Sequence, residues 1–341
     1  MAGIIGYGIY IPRYRLKQAD AAMAWSGWAG GEKAVCGADE DIVTMATEAS
    51  EKAIKHSGLN PAQIGCIYMA TDSSPYIEQS VAPILAETLE LAPQASMIEF
   101  CGSTNSTANA LLACLDAIKS GRIEYGLVIG SENRATGLGT EGETAFGAGA
   151  AAFVLGAQGT IVDINDMNTY SSVFTDRWRA GKDTWVSNYF DYRFDREYGY
   201  EKHIVSAATG LMEKLGEKAD DYAYVVLQQP DDRLPGYVVK ALGINRDRMA
   251  PPIASTIGDL GCSSAFISLA AILDKATPGQ KVLLGTYGSG NSTAVSMTVT
   301  AQIESRKKDL GPTLETYVAR KDYIDYLTYL KSSQALKRAP Y

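Results

Sequence analysis

Residues 106–121, which read STANALLACLDAIKSG, have a counterpart in residues 263–279, which read SSAFISLAAILDKATPG. Both stretches are made of small and apolar residues, carry charge only near their ends and finish on a glycine. Asp116 in the first stretch and Asp274 in the second are 158 residues apart, and the closing glycines keep the same offset. A fixed offset between similar segments indicates an internal duplication, and this duplication decides the fold class. Because both stretches are apolar over most of their surface, we expect them to form buried central helices.

The duplication extends outward from these two helices. Gly58 and Gly216 are also 158 residues apart, and each ends a stretch of helical periodicity that precedes a short apolar strand. No Pro- or Ser-rich linker separates the halves, 1–167 and 201–341, so we expect one layered α/β body. The predicted helices are 43–55, 107–118, 203–214 and 264–275, and the predicted strands are 3–11, 66–70, 125–129, 150–155, 224–227, 281–284 and 294–300.

Residues 168–200 lie between the two halves and have no clean periodicity. We expect an irregular excursion that covers a pocket or a partner, or else a surface flap packed by its own aromatic side chains. Its aromatic residues are Trp178, Trp185, Tyr189, Phe190, Tyr192, Phe194, Tyr198 and Tyr200.

Composition excludes several classes of function. The chain has 341 residues, 46% of them hydrophobic, and a formal net charge of −8. Without a run of Lys and Arg, this charge disfavours nucleic acid and anionic membranes as partners. The longest nearly uncharged run of small apolar residues, 147–157, is shorter than the roughly 18 residues that a membrane span needs. With no basic stretch after Met1, we expect a cytoplasmic protein.

The cysteines predict neither disulfides nor a metal site. They are five in number, scattered, and include no CxxC pair, so neither a disulfide framework nor a zinc site is expected. Most are expected to fill the core. The glycine loops at 130–139 and 285–290 also lack the spacing of nucleotide-binding motifs.

Cys101 is the candidate nucleophile. It lies in MIEFCGST, residues 97–104, where an apolar strand leads into a buried helix, and a helix N-terminus favours an anion. A thiolate normally needs a neighbouring base, yet the chain has only two histidines, His56 and His203, both in or beside charged helical stretches. We expect His203 to be a solvated residue at a helix start.

Six short motifs in order along the chain give it a resemblance to the archaeal-type hydroxymethylglutaryl-CoA synthases of the thiolase superfamily. The resemblance implies a five-layer αβαβα fold with internal duplication, a dimer, and an acyltransferase that uses a coenzyme A thioester as substrate without a covalently bound cofactor. The family uses a Cys nucleophile with His and Asn to form carbon–carbon bonds between acyl groups. The motifs are Ile5–Arg15, Asp39–Asp41, Asp72–Tyr76, Phe174–Arg179, Lys202–His203 and Tyr287–Gly290.

The family's catalytic residues are replaced in this chain. By the resemblance, the family's histidine position falls on Gln228 and its asparagine position on Asp259. Glutamine cannot take a proton, and an aspartate would repel an enolate that asparagine stabilises, so the Cys/His/Asn mechanism is not carried over unchanged. The nucleophile position falls on Thr104, with Cys101 three residues upstream, the acid/base position falls on Asp72, and Glu143 aligns with a family glutamate.

Two functions of different classes follow. The altered site is similar to that of the synthase-like, non-nucleophilic subunit of bacterial phloroglucinol acetyltransferase complexes, which implies a thiolase-like catalytic partner and a small OB-fold and zinc-ribbon protein, in a homodimer or heterotetramer. Alternatively, Cys101 is acylated in an active condensing enzyme, with Asp72 or Glu143 as general acid or base and Gln228 positioning the thioester carbonyl. A homodimer that only binds an acyl-CoA is a third reading.

Overall fold

A computed structural model describes residues 2–27, 29–188, 191–333 and 335–336. In these ranges the strands are β1 (Gly3–Tyr10), β2 (Tyr14–Lys17), β3 (Glu32–Val35), β4 (Ile64–Ala70), β5 (Ser96–Phe100), β6 (Tyr125–Asn133), β7 (Ala148–Gly156), β8 (Val162–Ser171), β9 (Arg177–Trp178), β10 (Ser187–Asn188), β11 (Tyr222–Leu227), β12 (Lys281–Gly288), β13 (Asn291–Val299) and β14 (Asp322–Tyr323).

The α-helices are α1 (Gln18–Ala24), α2 (Ile42–Ser57), α3 (Ala82–Thr88), α4 (Ser106–Lys119), α5 (Glu141–Ala145), α6 (Tyr192–Phe194), α7 (Lys202–Leu215), α8 (Leu234–Ala241), α9 (Ala254–Ile257), α10 (Ser264–Leu273), α11 (Gln302–Arg306), α12 (Leu314–Ala319) and α13 (Tyr326–Ser332). A π-helical segment, Asp195–Glu201, joins α6 to α7. No helix within the described ranges is long and apolar enough to cross a bilayer.

The strand order shows the duplication directly. Nine strands hydrogen-bond in the order β5-β4-β6-β7-β1-β8-β13-β12-β11. In the first half β4 and β6 are parallel and β6 and β7 antiparallel, and β11, β12 and β13 repeat this pattern in the second half. The halves meet where β1 and β8 pair over two positions, Gly3 with Asp163 and Ile4 with Val162. The predicted internal repeat is therefore present in the topology.

The helices form layers around these strands. Buried residues of α4 and α10 share one hydrophobic cluster with strands of both halves, so these two helices form the central layer. α2 and α3 pack on the outer face of the first half, and α7 and α8 pack on the outer face of the second. The prediction that the two small-residue helices are central and buried is confirmed, as is the predicted layered α/β architecture with an internal repeat.

Both amphipathic helices end at the predicted glycines. Gly58 follows α2 with φ +70° and Gly216 follows α7 with φ +65°, a left-handed conformation that glycine adopts without steric cost. At its other end α2 is capped by Asp41, whose side chain accepts from the amides of Val43 and Thr44. These local signals mark both ends of α2 in the sequence.

The region between the halves is partly regular. β8 continues to Ser171 and pairs with β13, so the boundary predicted at residue 167 falls inside a strand. After β8 the chain forms a short antiparallel hairpin of β9 and β10. Tyr189 and Phe190 lie outside the described residues.

Candidate active site

A cavity of about 830 Å³ opens where the ends of β4, β5 and β11 meet the hairpin segment. Five of the six side chains singled out from the sequence line it, whereas Glu143 does not. Residues 175–179 and Tyr200 line it too, so the segment between the halves covers this cavity. The lining candidates are Asp72, Cys101, Thr104, Gln228 and Asp259.

Cys101 lies at the exposed end of β5. It is exposed, whereas the other four cysteines are buried. The next residue, Gly102, has φ +87°, which turns the chain from β5 toward α4. This turn aims the amides of Gly102 and Ser103 at Oδ1 of Asp72, with N···O distances of 2.7 and 3.0 Å. A carboxylate therefore lies directly beside the peptide bond that follows the only exposed thiol.

The half-buried Asp72 neighbours the fully buried Glu132, a residue that sequence reasoning missed. Glu132 is fully buried, and its Oε1 accepts from the Asp72 amide at 3.0 Å and from the Ser73 hydroxyl. Its Oε2 accepts from the amide of Cys262 at 3.3 Å, which ties the loop after β4 to the second half of the chain. Burial, with the charge of Asp72, raises the pKa of Glu132 to about 7.

Burial also raises the pKa of Asp72, against the opposing effects of the Gly102 amide and the Arg134 charge. A carboxyl group with a raised pKa is a stronger base than an ordinary one. Asp72 is therefore the candidate proton acceptor next to the turn that follows Cys101.

Asp259 is held in an ion-paired cluster. Its Oδ2 lies 2.6 Å from Nη2 of Arg134 and 2.8 Å from Nη1 of Arg177, and its Oδ1 accepts from the amide of Gly261 at 3.0 Å. The Arg134 guanidinium stacks on Phe146, 3.7 Å from the ring centroid. Burial alone would raise the pKa of Asp259, but the two arginine charges outweigh it and lower that pKa. Asp259 is thus ionised, with its charge balanced within the wall.

Gln228 follows β11 and is also almost fully buried. Its Nε2 donates to the carbonyl oxygen of Gly261 at 2.6 Å, so one amide proton is already used within the protein. This contact limits the predicted role of Gln228 in positioning a thioester carbonyl, because that role depends on the same amide group as donor. Gln228 and Asp259 are both bonded to Gly261 and form one continuous wall.

The hydroxyl of Thr104 is engaged as well. Its Oγ1 donates to the carbonyl oxygen of Tyr287 at 2.8 Å. Thr104 thereby links the turn before α4 to the end of β12. Thr104 aligns with the family's nucleophile, but here its hydroxyl makes a contact between the two halves of the chain.

Glu143 lies away from the cavity. Its Oε2 accepts from the amide of Gly139 at 2.6 Å and from Nε1 of Trp25 at 3.0 Å, and its Oε1 accepts from the hydroxyl of Tyr326 at 2.7 Å. These partners attach α1 and α13 to the loop before α5. The expectation that Glu143 acts as a general acid or base does not fit this position.

His203 is fully buried, so the prediction of a solvated histidine is wrong. Its Nε2 lies 2.7 Å from the Ser172 hydroxyl and its Nδ1 lies 2.6 Å from the carbonyl oxygen of Gly199. The physical reason is that the π-helical segment continues directly into α7, so His203 is inside a helical run and faces the sheet. His56 is buried as well, beside Tyr7.

Three charged residues of the site were missed from the sequence: Glu132, Arg134 and Arg177. The sequence could have identified Arg177, because it belongs to the Phe174–Arg179 motif. Glu132 and Arg134 follow the apolar core of β6, where charged residues after a buried strand indicate a site at the sheet edge. No short motif joins Arg134 to Arg177, so their shared contact with Asp259 required the structure.

Comparison with known proteins agrees with this architecture. Residues 212–299 match the family model for the C-terminal part of 3-oxoacyl-[acyl-carrier-protein] synthase III. The hydroxymethylglutaryl-CoA synthase of Pyrobaculum aerophilum is 35% identical over 98% of this chain and 98% of its own length. That of Methanocaldococcus jannaschii is 34% identical over 99% of this chain and 100% of its own.

Solved structures show the same fold. The structure of MvaS in complex with 3-hydroxy-3-methylglutaryl coenzyme A aligns with a TM-score of 0.87 at 21% identity, covering 100% of this chain and 93% of that one. The 3-oxoacyl-[acyl-carrier-protein] synthase III of Aquifex aeolicus aligns with a TM-score of 0.78 at 22% identity, covering 87% of this chain and 100% of that one.

The duplicated layers and the cavity at the strand ends match a thiolase-like fold, and together with the full-length relatives they place the chain in the thiolase superfamily. Within it, full-length identity above 30% shows that the chain belongs to the hydroxymethylglutaryl-CoA synthase family of acyltransferases. The resemblance drawn from the six sequence motifs is confirmed.

Proposed function

We propose that this chain is an acyl-CoA condensing enzyme of the hydroxymethylglutaryl-CoA synthase type in which Cys101 accepts the acyl group. The observation that carries the proposal is the position of Cys101, an exposed cysteine that lines the cavity and precedes the turn whose amides bind Asp72. The full-length similarity to hydroxymethylglutaryl-CoA synthases supports this reading over the non-catalytic one. The ligand of the related MvaS structure supports a coenzyme A thioester as substrate.

The acyl transfer requires one proton to move. Asp72 takes the proton of the Cys101 thiol, and the sulfur attacks the thioester carbonyl carbon of the acyl-CoA. The bond between that carbon and the coenzyme A sulfur breaks, and Asp72 returns the proton to the departing thiolate. The products are S-acylated Cys101 and free coenzyme A, so atoms and charges balance. The Gly102 and Ser103 amides hold Asp72 in place for both transfers.

The replacement of asparagine by Asp259 does not block this chemistry. A free carboxylate would repel the negative charge that develops on a thioester oxygen or enolate. Here Arg134 and Arg177 both pair with Asp259, so the cluster carries a formal charge of +1. The repulsion between Asp259 and a developing negative charge on the substrate is thereby reduced.

A second candidate function is a supporting subunit. It is favoured by Gln228, because an amide in the position of the family's histidine cannot exchange a proton with substrate. In this case the chain would scaffold a thiolase-like partner that supplies its own cysteine, together with an OB-fold and zinc-ribbon protein. The assembly would be a heterotetramer, whereas the first proposal is compatible with a homodimer.

The two candidates are separated by coenzyme A release from acetyl-CoA, measured with the purified chain alone and after co-expression with its genomic neighbours. The first proposal predicts release by the chain alone, its loss in Cys101→Ala and its retention in Cys36→Ala, a buried control. Release that depends on a co-purifying partner and survives Cys101→Ala would contradict it and support the scaffold.

A further inference from the structure

Glu132 is a fully buried carboxyl group that lies behind the cavity and does not line it. Burying an ionisable group costs free energy unless hydrogen bonds replace its contacts with water. The partners of Glu132 are backbone amides and a hydroxyl group that belong to two separate loops of the site. Its role is therefore to be sought in what it holds together.

One oxygen of Glu132 fixes the loop that carries Asp72. The backbone pairing of β4 with β6 ends at Ala70 and Gly130, two residues before Asp72 and Glu132. Beyond that point Oε1 of Glu132 accepts from the Asp72 amide at 3.0 Å and from the Ser73 hydroxyl. The side chain of Glu132 thus continues the contact between the two strands past the end of the sheet.

The other oxygen of Glu132 reaches the second half of the chain. Oε2 accepts from the Cys262 amide at 3.3 Å. A Cβ on the preceding residue, Gly261, would lie 2.7 Å from Oε2, so this approach needs a glycine. Gly261 is the residue to which both Gln228 and Asp259 are bonded. One carboxyl group therefore sets the spacing between the Asp72 loop and the wall formed by Gln228 and Asp259.

Asp72 is consequently held at two points. Glu132 binds its backbone amide, and the amides of Gly102 and Ser103 bind its side-chain Oδ1 at 2.7 and 3.0 Å. The second point belongs to the turn that follows Cys101. Proton transfer depends on distances set to within about 1 Å, so releasing one of the two points is expected to slow a transfer that uses Asp72.

We infer that Glu132 is a positioning residue for acyl transfer, which holds the Asp72 loop against the second half of the chain and so places the Asp72 carboxylate for its reaction with the Cys101 thiol. The inference rests on the proposed function, because it assumes that Asp72 takes the thiol proton. Glu132 acts through Asp72 and not on the substrate, since it does not line the cavity.

The test is single-turnover acylation by acetyl-CoA in wild type and Glu132→Gln, at about pH 8, above the pKa of about 7 of Glu132. Glutamine keeps the size of the side chain but has one acceptor oxygen, so it cannot accept from both loops. We expect the maximal acylation rate to fall about 10- to 100-fold. The acetyl-CoA concentration that gives half of the maximal rate should change by about twofold or less, because Glu132 does not touch substrate.

A double-mutant cycle with Asp72→Asn separates positioning from a general loss of structure. If Glu132 acts through Asp72, adding Glu132→Gln to Asp72→Asn should lower the remaining rate by about twofold or less, because both changes remove the same function. Ser73→Ala, which removes one donor to Oε1, should lower the rate in the same direction by a smaller factor.

Glu217→Gln is the matched control. Glu217 is a half-buried carboxylate outside the cavity, and this variant should keep the wild-type acylation rate. Like Glu132, it has three side-chain or backbone donors as partners, in this case Lys281, Tyr222 and Ser296.

A wild-type rate in Glu132→Gln, or a loss that is equally large in the Asp72→Asn background, would overturn the inference while acylation of the wild-type chain upholds the proposed function. Circular dichroism shows whether Glu132→Gln is folded; if it is not, a wild-type rate in Ser73→Ala overturns the inference. Absence of acylation in the wild-type chain would overturn both the inference and the proposed function.

Discussion

Oδ1 of Asp72 lies 2.7 Å from the amide nitrogen of Gly102, the residue that follows Cys101. This bond fixes a carboxylate from the end of β4 against the turn at the end of β5. The carboxyl is half-buried, and its desolvation raises its pKa, while the fully buried Glu132 accepts from the Asp72 amide. The turn that follows Cys101 thus holds a carboxylate through its backbone amides.

The first prediction concerns Asp72→Asn. This variant removes the base but keeps an oxygen that can accept from Gly102, so the acylation rate should fall by about 10²- to 10⁴-fold while the fold persists. The wild-type rate should also fall as the pH drops through the raised pKa of Asp72, because protonation removes the base. Rapid-quench measurement of coenzyme A release against pH checks both effects.

Asp116→Asn, in the exposed position near the end of α4, is the control and should leave the rate unchanged. An Asp72→Asn enzyme that keeps the wild-type rate and pH profile would remove Asp72 from the mechanism.

The second prediction concerns the ion-paired cluster. Asp259→Asn removes the carboxylate that forms an ion pair with the buried Arg134, and breaking a buried pair in this way costs about 3–5 kcal/mol in the free energy of unfolding. Arg177→Met in the same chain should recover part of the loss, because it removes one of the two unpaired charges. Urea denaturation measures both changes.

Asp166→Asn breaks the exposed pair with Lys214 and should cost less than about 1 kcal/mol. If Asp259→Asn costs no more than this exposed control, the cluster is not a stabilising feature of the site.

Sequence periodicity and the glycine positions were sufficient for most of the fold. The offset between Asp116 and Asp274 identified the repeat, because a duplicated unit keeps its buried helix and its helix stop in the same places. His203 was misplaced because the run Asp195–Glu201 has no apolar helical period, yet it forms a π-helix that extends α7. Its structure depends on packing against α8 and the cavity, which local sequence does not encode.

The third prediction concerns the pH dependence of stability. The pKa of Glu132 is about 7 in the folded chain, against an ordinary value of 4.5, so the folded state binds this proton more tightly than the unfolded state. Its contribution is therefore fully present below pH 4.5 and is lost as the pH rises to about 7. Glu132→Gln should flatten this fall, which we expect to be about 3 kcal/mol at most.

Chemical denaturation at a series of pH values measures the fall. Glu48→Gln, which changes an exposed carboxylate on α2, should leave the wild-type slope in place. A wild-type stability that is constant or rises between pH 4.5 and 7 with no difference in Glu132→Gln would contradict the assignment.

The fourth prediction concerns Glu143, which sequence alignment offered as an acid or base. Because its carboxylate is bound by Trp25, Tyr326 and the Gly139 amide, Glu143→Gln should lower the melting temperature. Each lost charge-assisted bond is worth about 1.5–3 kcal/mol, whereas the acylation rate should change by about twofold or less. Differential scanning calorimetry and the coenzyme A release assay separate the two effects. A large loss of acylation rate in Glu143→Gln with an unchanged melting temperature would indicate that Glu143 takes part in the reaction.

The site was less predictable than the fold. Cys101 was predicted from its position between a strand and a helix, and the other four cavity residues were predicted from the family resemblance. The sequence could not show that the Thr104 hydroxyl donates to the Tyr287 carbonyl, or that the Gln228 side-chain amide donates to the Gly261 carbonyl, because those contacts join distant parts of the chain. Alignment also placed Glu143 with the catalytic set, although its carboxylate faces α1 and α13 instead.

The most direct test of the account is peptide mapping by mass spectrometry after brief exposure of the purified chain to acetyl-CoA. The account predicts one acetyl group on the peptide that contains Cys101, none in Cys101→Ser, and slower labelling in Asp72→Asn. Absence of label on this chain, with acylation of a co-purifying thiolase-like protein instead, would contradict it and make the chain the supporting half of a complex.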